Sequence, residues 1–323
     1  MIIDVHAHYI PASLADNEKF SDLFYVKEDT FGKTMFIKNR ELRPFNPGLI
    51  YLDEQIADMD KAGIDMRFIS LPPFALNYED CRCKDWTRES TKAMSEDASL
   101  HRNRFRYLAT LPMADMEGTI REIDRVINDP LCAGIEIATN IAGMELDDAY
   151  LEPFWKKAAE YEIFVLLHPH YTIKSARLER YHLRNLMGNP LDTTIAAFAL
   201  MTGDVASKYP GVKICFSHSG GYTPYAIARF EHARKVRKEF EGVQKSYEEC
   251  CRSFYYDTIL HDAETLQFVE SKVTSSHLLM GTDYPFDMGD EEPVHTVSSM
   301  KIPREKISDI LGGNIERLIG DGI

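Results

Sequence analysis

The sequence predicts an α/β protein, a (β/α)8 barrel. Three observations predict it. Eight short apolar runs alternate with eight helical patterns along 323 residues. The first run turns over through His-Ala-His-Tyr with no GxGxxG, which argues against a doubly wound sheet with a glycine-rich first turn. Metal-ligand residue types recur where several runs end, and a barrel gathers its site at the C-terminal ends of its strands.

The elements follow in order. The first apolar run is Ile2–Val5, ending in His6-Ala7-His8. A connection over Tyr9–Gly48 follows, far longer than the roughly 2–6 residues usual between strand and helix. The amphipathic pattern Leu49–Ala62 leads to the second run, Met66–Leu71, closed by Pro72-Pro73. Trp86–His101 precedes the third run, Phe105–Leu111, and Met116–Asn128 precedes the fourth, Ala133–Ala138. Asp147–Tyr161 leads to the fifth, Ile163–Leu167, which ends at His168-Pro169. A second long connection, Pro169–Asp192, comes next. Thr193–Tyr209 then precedes the sixth run, Val212–Ser217, ending at His218. Tyr222–Phe240 leads to the seventh, Phe254–Tyr256, ending at Asp257. Ala263–Lys272 leads to the eighth, His277–Met280, ending in Gly281-Thr282-Asp283, and Pro303–Leu318 is the last helical stretch. Both long connections leave strand C-termini, so they are expected to form lids or substrate walls. No repeat, low-complexity tract or linker divides the chain, and one barrel domain over 1–323 is expected.

Composition narrows the function. Hydrophobic residues make up 44% and charged residues 27%, the globular norm. Mean hydropathy is −0.30 and no apolar run reaches 18 residues, which argues against a membrane-spanning helix. Thirty-seven Lys+Arg against 51 Asp+Glu give a net charge of −14, a surface that repels phosphate backbones and argues against nucleic acid as the partner. The start MIIDVHAHYIP has no basic region followed by a long apolar core, so no signal peptide is expected. Six cysteines form neither CxxC nor an evenly spaced framework; reduced thiols in a cytoplasm are the default.

His6 and His8 end the first run, and alternate residues of a strand share a side. Both can face the barrel axis and grip one ion. His168, His218 and Asp283 end the fifth, sixth and eighth runs. Imidazoles suit Zn²⁺, and a carboxylate completes a site with one open position where a bound water becomes hydroxide near neutral pH. Mn²⁺ or Co²⁺ fit the same donors. Each piece has a plainer reading: a buried histidine bonds within the core, and a strand-ending Asp caps a turn. Their joint occurrence favours the metal. Asp257 is open between orienting a ligand and a core or turn role. No GxxxxGK[ST] or GxSxG is present, and no organic cofactor is expected.

The stretches IDVHAHYIP, LLHPH (166–170), ICFSHSGG (214–221), MGTDYPFDMG (280–289) and the closing GGNIERLIG resemble the amidohydrolase superfamily, in the subgroup typified by aminocarboxymuconate semialdehyde decarboxylase. The resemblance runs from end to end and implies an amidohydrolase-like TIM barrel. It implies that His6, His8, His168 and Asp283 hold the metal, with Asp283 also counted among the catalytic groups. It implies that His218 activates the metal-bound water without being a primary ligand. Arg229, in YAIARFEHA, matches an arginine delivered to a neighbour's site in a homodimer. Arg43, in KNRELRPF, matches a second carboxylate-binding arginine. The plainer alternatives are an ion pair of Arg229 with Glu231 or Asp204, and a solvated loop place for Arg43. His170 stands where an aromatic residue often follows the HP pair, and is expected to line the pocket.

Planar guanidinium forks recognise carboxylates by paired hydrogen bonds. Together with these arginines, the end-to-end resemblance implies non-oxidative decarboxylation of a small muconate-type or aromatic acid. Hydrolysis or hydration of a carboxylated substrate is the alternative, and a catalytically silent binding protein is the third reading.

Overall fold

The computed structural model describes residues 1–15, 17–29, 32–37, 40–42, 45–76, 78–80, 82–170, 172–243 and 245–320. The predicted barrel is present. Strands β1 (Ile3–His8), β2 (Met66–Ser70), β3 (Phe105–Thr110), β4 (Cys132–Ala138), β5 (Phe164–His168), β6 (Lys213–Phe216), β7 (Tyr255–Asp257) and β8 (Leu278–Leu279) lie side by side in chain order, all parallel. The segment after β8 closes the ring onto β1. Val5 N–H donates to Met280 O at 2.9 Å, Asp283 N–H to His6 O at 2.8 Å, and His8 N–H to Tyr284 O at 2.7 Å.

Between the strands run α1 (Leu52–Ala62), α2 (Cys83–Leu100), α3 (Met116–Val126), α4 (Glu152–Glu160), α5 (Asn189–Thr202), α6 (Thr223–Val236) and α7 (Ala263–Val273), and a helical run over 304–319 follows β8. Gly63 ends α1 in the left-handed region, φ 73°, where glycine carries no Cβ penalty. Three expected helices are markedly shorter than their patterns, Asp147–Tyr161 being α-helical only over Glu152–Glu160. The stretch Thr193–Tyr209 breaks at Gly203-Asp204, with Asp204 at φ 55°, and the stretch Tyr222–Phe240 ends at Val236 where Arg237 turns extended. The first long connection is not bare loop. It carries an antiparallel sheet of Phe24–Asp29, Gly32–Ile37 and Arg40–Glu41. Phe20 and Phe24 pack edge-on against Trp86 of α2, at 5.0 and 5.3 Å between centroids, and anchor that sheet to the barrel wall.

The barrel interior is layered. Ile3, Val5, Met66, Phe68, Leu108, Phe164, Leu166, Cys215 and Leu279 fill its lower part, with Ile315 of the final run packed among them. Two residues further along the strands, Phe68 gives way to Ser70, Leu108 to Thr110, Leu166 to His168, Cys215 to Ser217, and Tyr255 to Asp257. The upper layer is therefore polar, and the period of two puts it at the C-terminal face. In β1 a register shift between Asp4 and Ala7 turns His6 and His8 into that layer after Ile3 and Val5.

A second polar group braces the closure from outside the barrel. Arg67 is fully buried and donates to Asp4 Oδ2 at 2.7 Å, Gln55 Oε1 at 2.8 Å and Asp58 Oδ2 at 2.7 Å, with its guanidinium 4.5 Å from the Tyr284 ring centre. Asp4 in turn accepts from the Thr282 hydroxyl at 2.7 Å. Burial pushes the Asp4 carboxyl up, and the Arg67 charge opposes it. Arg67→Ala leaves that carboxylate buried without its cation. We expect a loss of about 3–5 kcal/mol, read as a fall in the stability measured by urea denaturation.

Candidate metal centre

The structure brings His6, His8, His168 and Asp283 together at the top of the barrel, with one ligand atom from each within 4.8 Å of the others. All four are buried. His8 Nε2 lies 3.1 Å from Asp283 Oδ1, and His6 Nε2 lies 3.5 Å from the same oxygen. His168 Nε2 is 4.0 Å away. The His6 and His8 Nε2 atoms face each other at 3.2 Å.

The far sides of the rings are held by the protein. His6 Nδ1 donates to Asp257 Oδ2 at 2.7 Å, and His168 Nδ1 donates to Pro169 O at 3.0 Å. His8 Nδ1 lies 3.3 Å from Leu71 O. Such partners fix the tautomer that leaves Nε2 free for an ion. His168 Nε2 and Asp283 Oδ1 have no hydrogen-bond partner although buried. Converging ring nitrogens with buried, unpartnered lone pairs fit a bound dication, the arrangement those donors would otherwise lack.

Charge states follow from the surroundings. Burial and the neighbouring His8, His6 and His218 rings hold His168 well below its ordinary value, so it is neutral. Burial pushes Asp283 up, but the adjoining His218 and His8 rings and the His6 charge outweigh it and hold the carboxyl well below the usual range. Burial lowers His6, yet the Asp257 hydrogen bond and the Asp283 and Asp257 charges prevail and bring it to about 9.

His218 sits just past β6, at 3.4 Å from Asp283 Oδ2 through Nε2, outside the set of four. His218, Ser219 and Asp283 take φ values of 51°, 51° and 60°, a left-handed conformation that costs of order 1–3 kcal/mol each in residues with a Cβ. Asp257 offsets that cost at the first two. Its carboxylate accepts the His218 N–H at 2.9 Å and the Ser219 N–H at 2.8 Å. One buried carboxylate thus orients His6 and holds the turn that carries His218. A Cβ on Gly281 would stand 3.0 Å from the His6 Cβ and 3.2 Å from the Asp257 Cβ, so glycine lets the end of β8 lie against the pair without crowding it.

A cavity of about 440 Å³ opens beside His218 and Asp283. Its walls are mainly apolar, with Tyr222, Ile259, Phe268 and Met288 among them, and Asn185 supplies an amide. Concave apolar walls around a few polar groups suit a small organic ligand. His170 lines a smaller adjoining cavity with Phe74, His182 and Arg184, which shares Asn185 and Asn189 with the first.

The two arginines are not gathered here. Arg229 is exposed on α6, and among the described residues it forms no ion pair; Glu231 is taken by Arg234 at 2.7 Å and Lys235 at 3.4 Å. The alternative pairing with Glu231 or Asp204 is therefore absent among the described residues. Arg43 lies outside them. Sequence reasoning missed one residue of the polar layer, Glu136 on β4, fully buried with neither carboxylate oxygen partnered among the described residues. Its signal was a charge inside the apolar run Cys132–Ala138.

A parallel eight-stranded barrel with histidines and an aspartate converging at its C-terminal face defines a metal-dependent hydrolase or lyase scaffold. The chain belongs to the amidohydrolase family, whose model matches residues 3–320. It is 28% identical over 327 residues to 2-amino-3-carboxymuconate-6-semialdehyde decarboxylase of Dictyostelium discoideum, covering 98% of this chain and 91% of that one. Its fold is that of the Metarhizium anisopliae IDCase structure in apo form, with a TM-score of 0.86, 21% identity, and 99% and 97% of the two chains covered. A dihydroxybenzoic acid decarboxylase from Polaromonas, solved with manganese and an inhibitor, has a TM-score of 0.77 at 20% identity, over 98% of this chain and 96% of that one.

Proposed function

We propose that the chain is a metal-dependent, non-oxidative carboxy-lyase acting on a small carboxylated substrate of the muconate or aromatic type. The observation that carries this is the convergence of His6, His8, His168 and Asp283 beside His218 at the base of an apolar cavity, in a chain resembling named decarboxylases over nearly its whole length. His6, His8, His168 and Asp283 would hold Zn²⁺, with Mn²⁺ or Co²⁺ accommodated by the same donors. A dication held there supplies Lewis-acid polarisation of an oxygen and a readily deprotonated water.

The chain's own residues do the rest. His218 holds or moves a proton at Nε2, beside the Asp283 carboxylate and at the edge of the cavity. The apolar walls orient the conjugated part of the substrate and exclude water. Arg43 and Arg229 fix its carboxylates. The carbon–carboxylate bond breaks, its electron pair passes into the adjacent conjugated acceptor, a proton is taken up at carbon, and CO₂ leaves. No electron carrier is needed. Incubating metal-replete enzyme with a panel of carboxylated muconates and hydroxybenzoates should release CO₂ in step with product. Product formed without CO₂ would move the assignment to hydration or hydrolysis.

A homodimer supports the placement of Arg229. Arg229 lies six residues into α6, roughly 9 Å of helix from Thr223, beyond the turn that carries His218, an awkward reach to the same subunit's centre. Arg229 lies one turn beyond Tyr225, which lines the cavity mouth and is 82% exposed. Leu186 and Phe268 line the same cavity and are exposed, part of an apolar rim that a second subunit would cover. We expect that mixing His218→Ala chains with Arg229→Ala chains restores activity, because a hybrid dimer holds one site with neither defect. Differently tagged chains check that subunits exchange. Tagged hybrids as inactive as both parents would remove the shared site. The described cysteines Cys83, Cys132, Cys215, Cys250 and Cys251 are free thiols, which supports a cytoplasmic location. Among the described residues no helix is long and apolar enough to cross a membrane.

A further inference from the structure

Glu136 occupies a place that the proposed reaction has not used. On β4 its neighbours Ile135 and Ile137 belong to the core between barrel and helices, so the alternation of the strand turns Glu136 into the barrel. It pairs in register with Thr110 on β3 and Leu166 on β5, the position two residues short of His168. It therefore lies at the lower edge of the polar layer, level with Thr110 above the apolar part and beneath the candidate metal ligands. Burial pushes its carboxyl up and prevails, while the His8 ring, the Ser70 hydroxyl and the His6 ring are close enough to draw it down, and Asp283 is also near.

Outside the candidate ligands, no cationic side chain answers it among the described residues. Neither Glu136 oxygen has a hydrogen-bond partner among the described residues, and the Thr110 hydroxyl beside it is equally unpartnered. Arg67, the fully buried arginine, is engaged by Asp4 and Asp58 outside the barrel. A carboxylate taken wholly out of water without a partner is costly. It is either protonated or balanced by positive charge in the site, and once the ligand imidazoles are neutral and coordinating only the ion can supply that charge. A dication held by three neutral imidazoles and one carboxylate has one positive charge left over. The only place in the described structure where His, Cys, Asp and Glu side chains gather to hold such an ion is the centre above it, and Glu136 is not one of its four donors.

We propose that Glu136 is the outer counter-charge of the metal centre: uncoordinated, it balances the excess charge of the bound dication across the barrel interior and tightens its binding. The proposal rests on the metal-centre reading. It makes Glu136 a positioning residue toward the ion and assigns it no contact with substrate. It also makes a prediction that a structural role would not make. Metal-free protein should be at least as stable with the charge removed, because burial costs the carboxylate more than its neighbours return until an ion enters.

The test uses the full chain with Glu136→Gln, and with Glu136→Met as a second uncharged variant. Zn²⁺ affinity is measured by chelator competition, Co²⁺ visible absorption reports the ligand set, and thermal unfolding is followed with and without metal. We expect affinity to fall on the order of 10-fold or more, the usual scale for a group just outside the ligands. The Co²⁺ bands should keep their positions, the metal-free melting point should not fall, and the rise in melting point on adding metal should shrink. Affinity within twofold of the parent chain would overturn the proposal. So would a variant that fails to fold without metal, since Glu136 would then be a structural partner. Two ions per parent chain falling to one in the variants would overturn it differently, by making Glu136 a ligand to a second ion. A parent chain that binds no dication in stoichiometric amount would sink the metal-centre reading itself, an outcome distinct from all of these.

Discussion

His6→Ala and Asp283→Ala should each strip most of the bound metal and lower turnover by roughly 10³-fold or more. The magnitude follows from losing Lewis-acid stabilisation worth several kcal/mol, at about tenfold in rate per 1.4 kcal/mol. Both side chains contribute to the one cluster among the described residues in which such donor atoms converge, and each is buried where water cannot replace it well. Metal analysis of the purified variants checks the first half, and assays with restored metal check the second. Full occupancy in both variants would count decisively against the assignment. A pH dependence comes with it. His6 has its pKa raised to about 9 in the metal-free site, so near neutral pH it carries a proton that an incoming cation must displace. Affinity for the metal should therefore rise with pH up to about that value and weaken as pH falls, which chelator competition at several pH values would read directly.

His218→Ala should behave differently. We expect it to keep the fold and much of the metal while losing at least ~10²-fold in turnover, the scale of a positioned acid–base group. The reason lies in the geometry. His218 contacts the second oxygen of Asp283 at 3.4 Å and stands outside the four donors. Its main-chain N–H still anchors to Asp257 whatever side chain it carries. Near-native turnover would remove the proton-handling role. Complete loss of metal would instead promote His218 to a ligand.

The barrel was legible because each strand is a short buried run and each connection carries a helical repeat, so the two periods alternate through the whole chain. The candidate ligands were legible because the runs end in His or Asp, and strand ends on one face meet in a barrel. What the sequence concealed had physical reasons. The antiparallel sheet within the first long connection consists of short strands whose side chains mix Lys, Glu and aromatic residues, and it is anchored through aromatic contacts to α2 that no local pattern reveals. Asp257 could have been a core or turn carboxylate. Only the fold shows it reaching His6 across 251 positions of sequence. Glu136 was visible as a charge in an apolar run, but its meaning depends on which face of β4 is the inner one. The extents of α5 and α6 were overread because a helical repeat continues past residues whose backbone leaves the helix, at Asp204 and Arg237.

The closure of the ring has a consequence for how the molecule comes into being. Thr282 bonds to Asp4 across 278 positions, so the first strand to leave the ribosome waits for almost the last. Until then β1 and β7 are open edges, exposed to pairing with other chains, while the His6 and His8 imidazoles are already present and can hold an ion only loosely. Bringing such distant segments together costs entropy that grows only slowly with separation, but it is spent before any closing contact repays it. The aspartate that completes the cluster arrives in the same segment that seals the sheet. On the proposed metal-centre reading, tight capture of the ion and completion of the barrel would be one event, and a nascent chain would acquire its chemistry only when its architecture is finished.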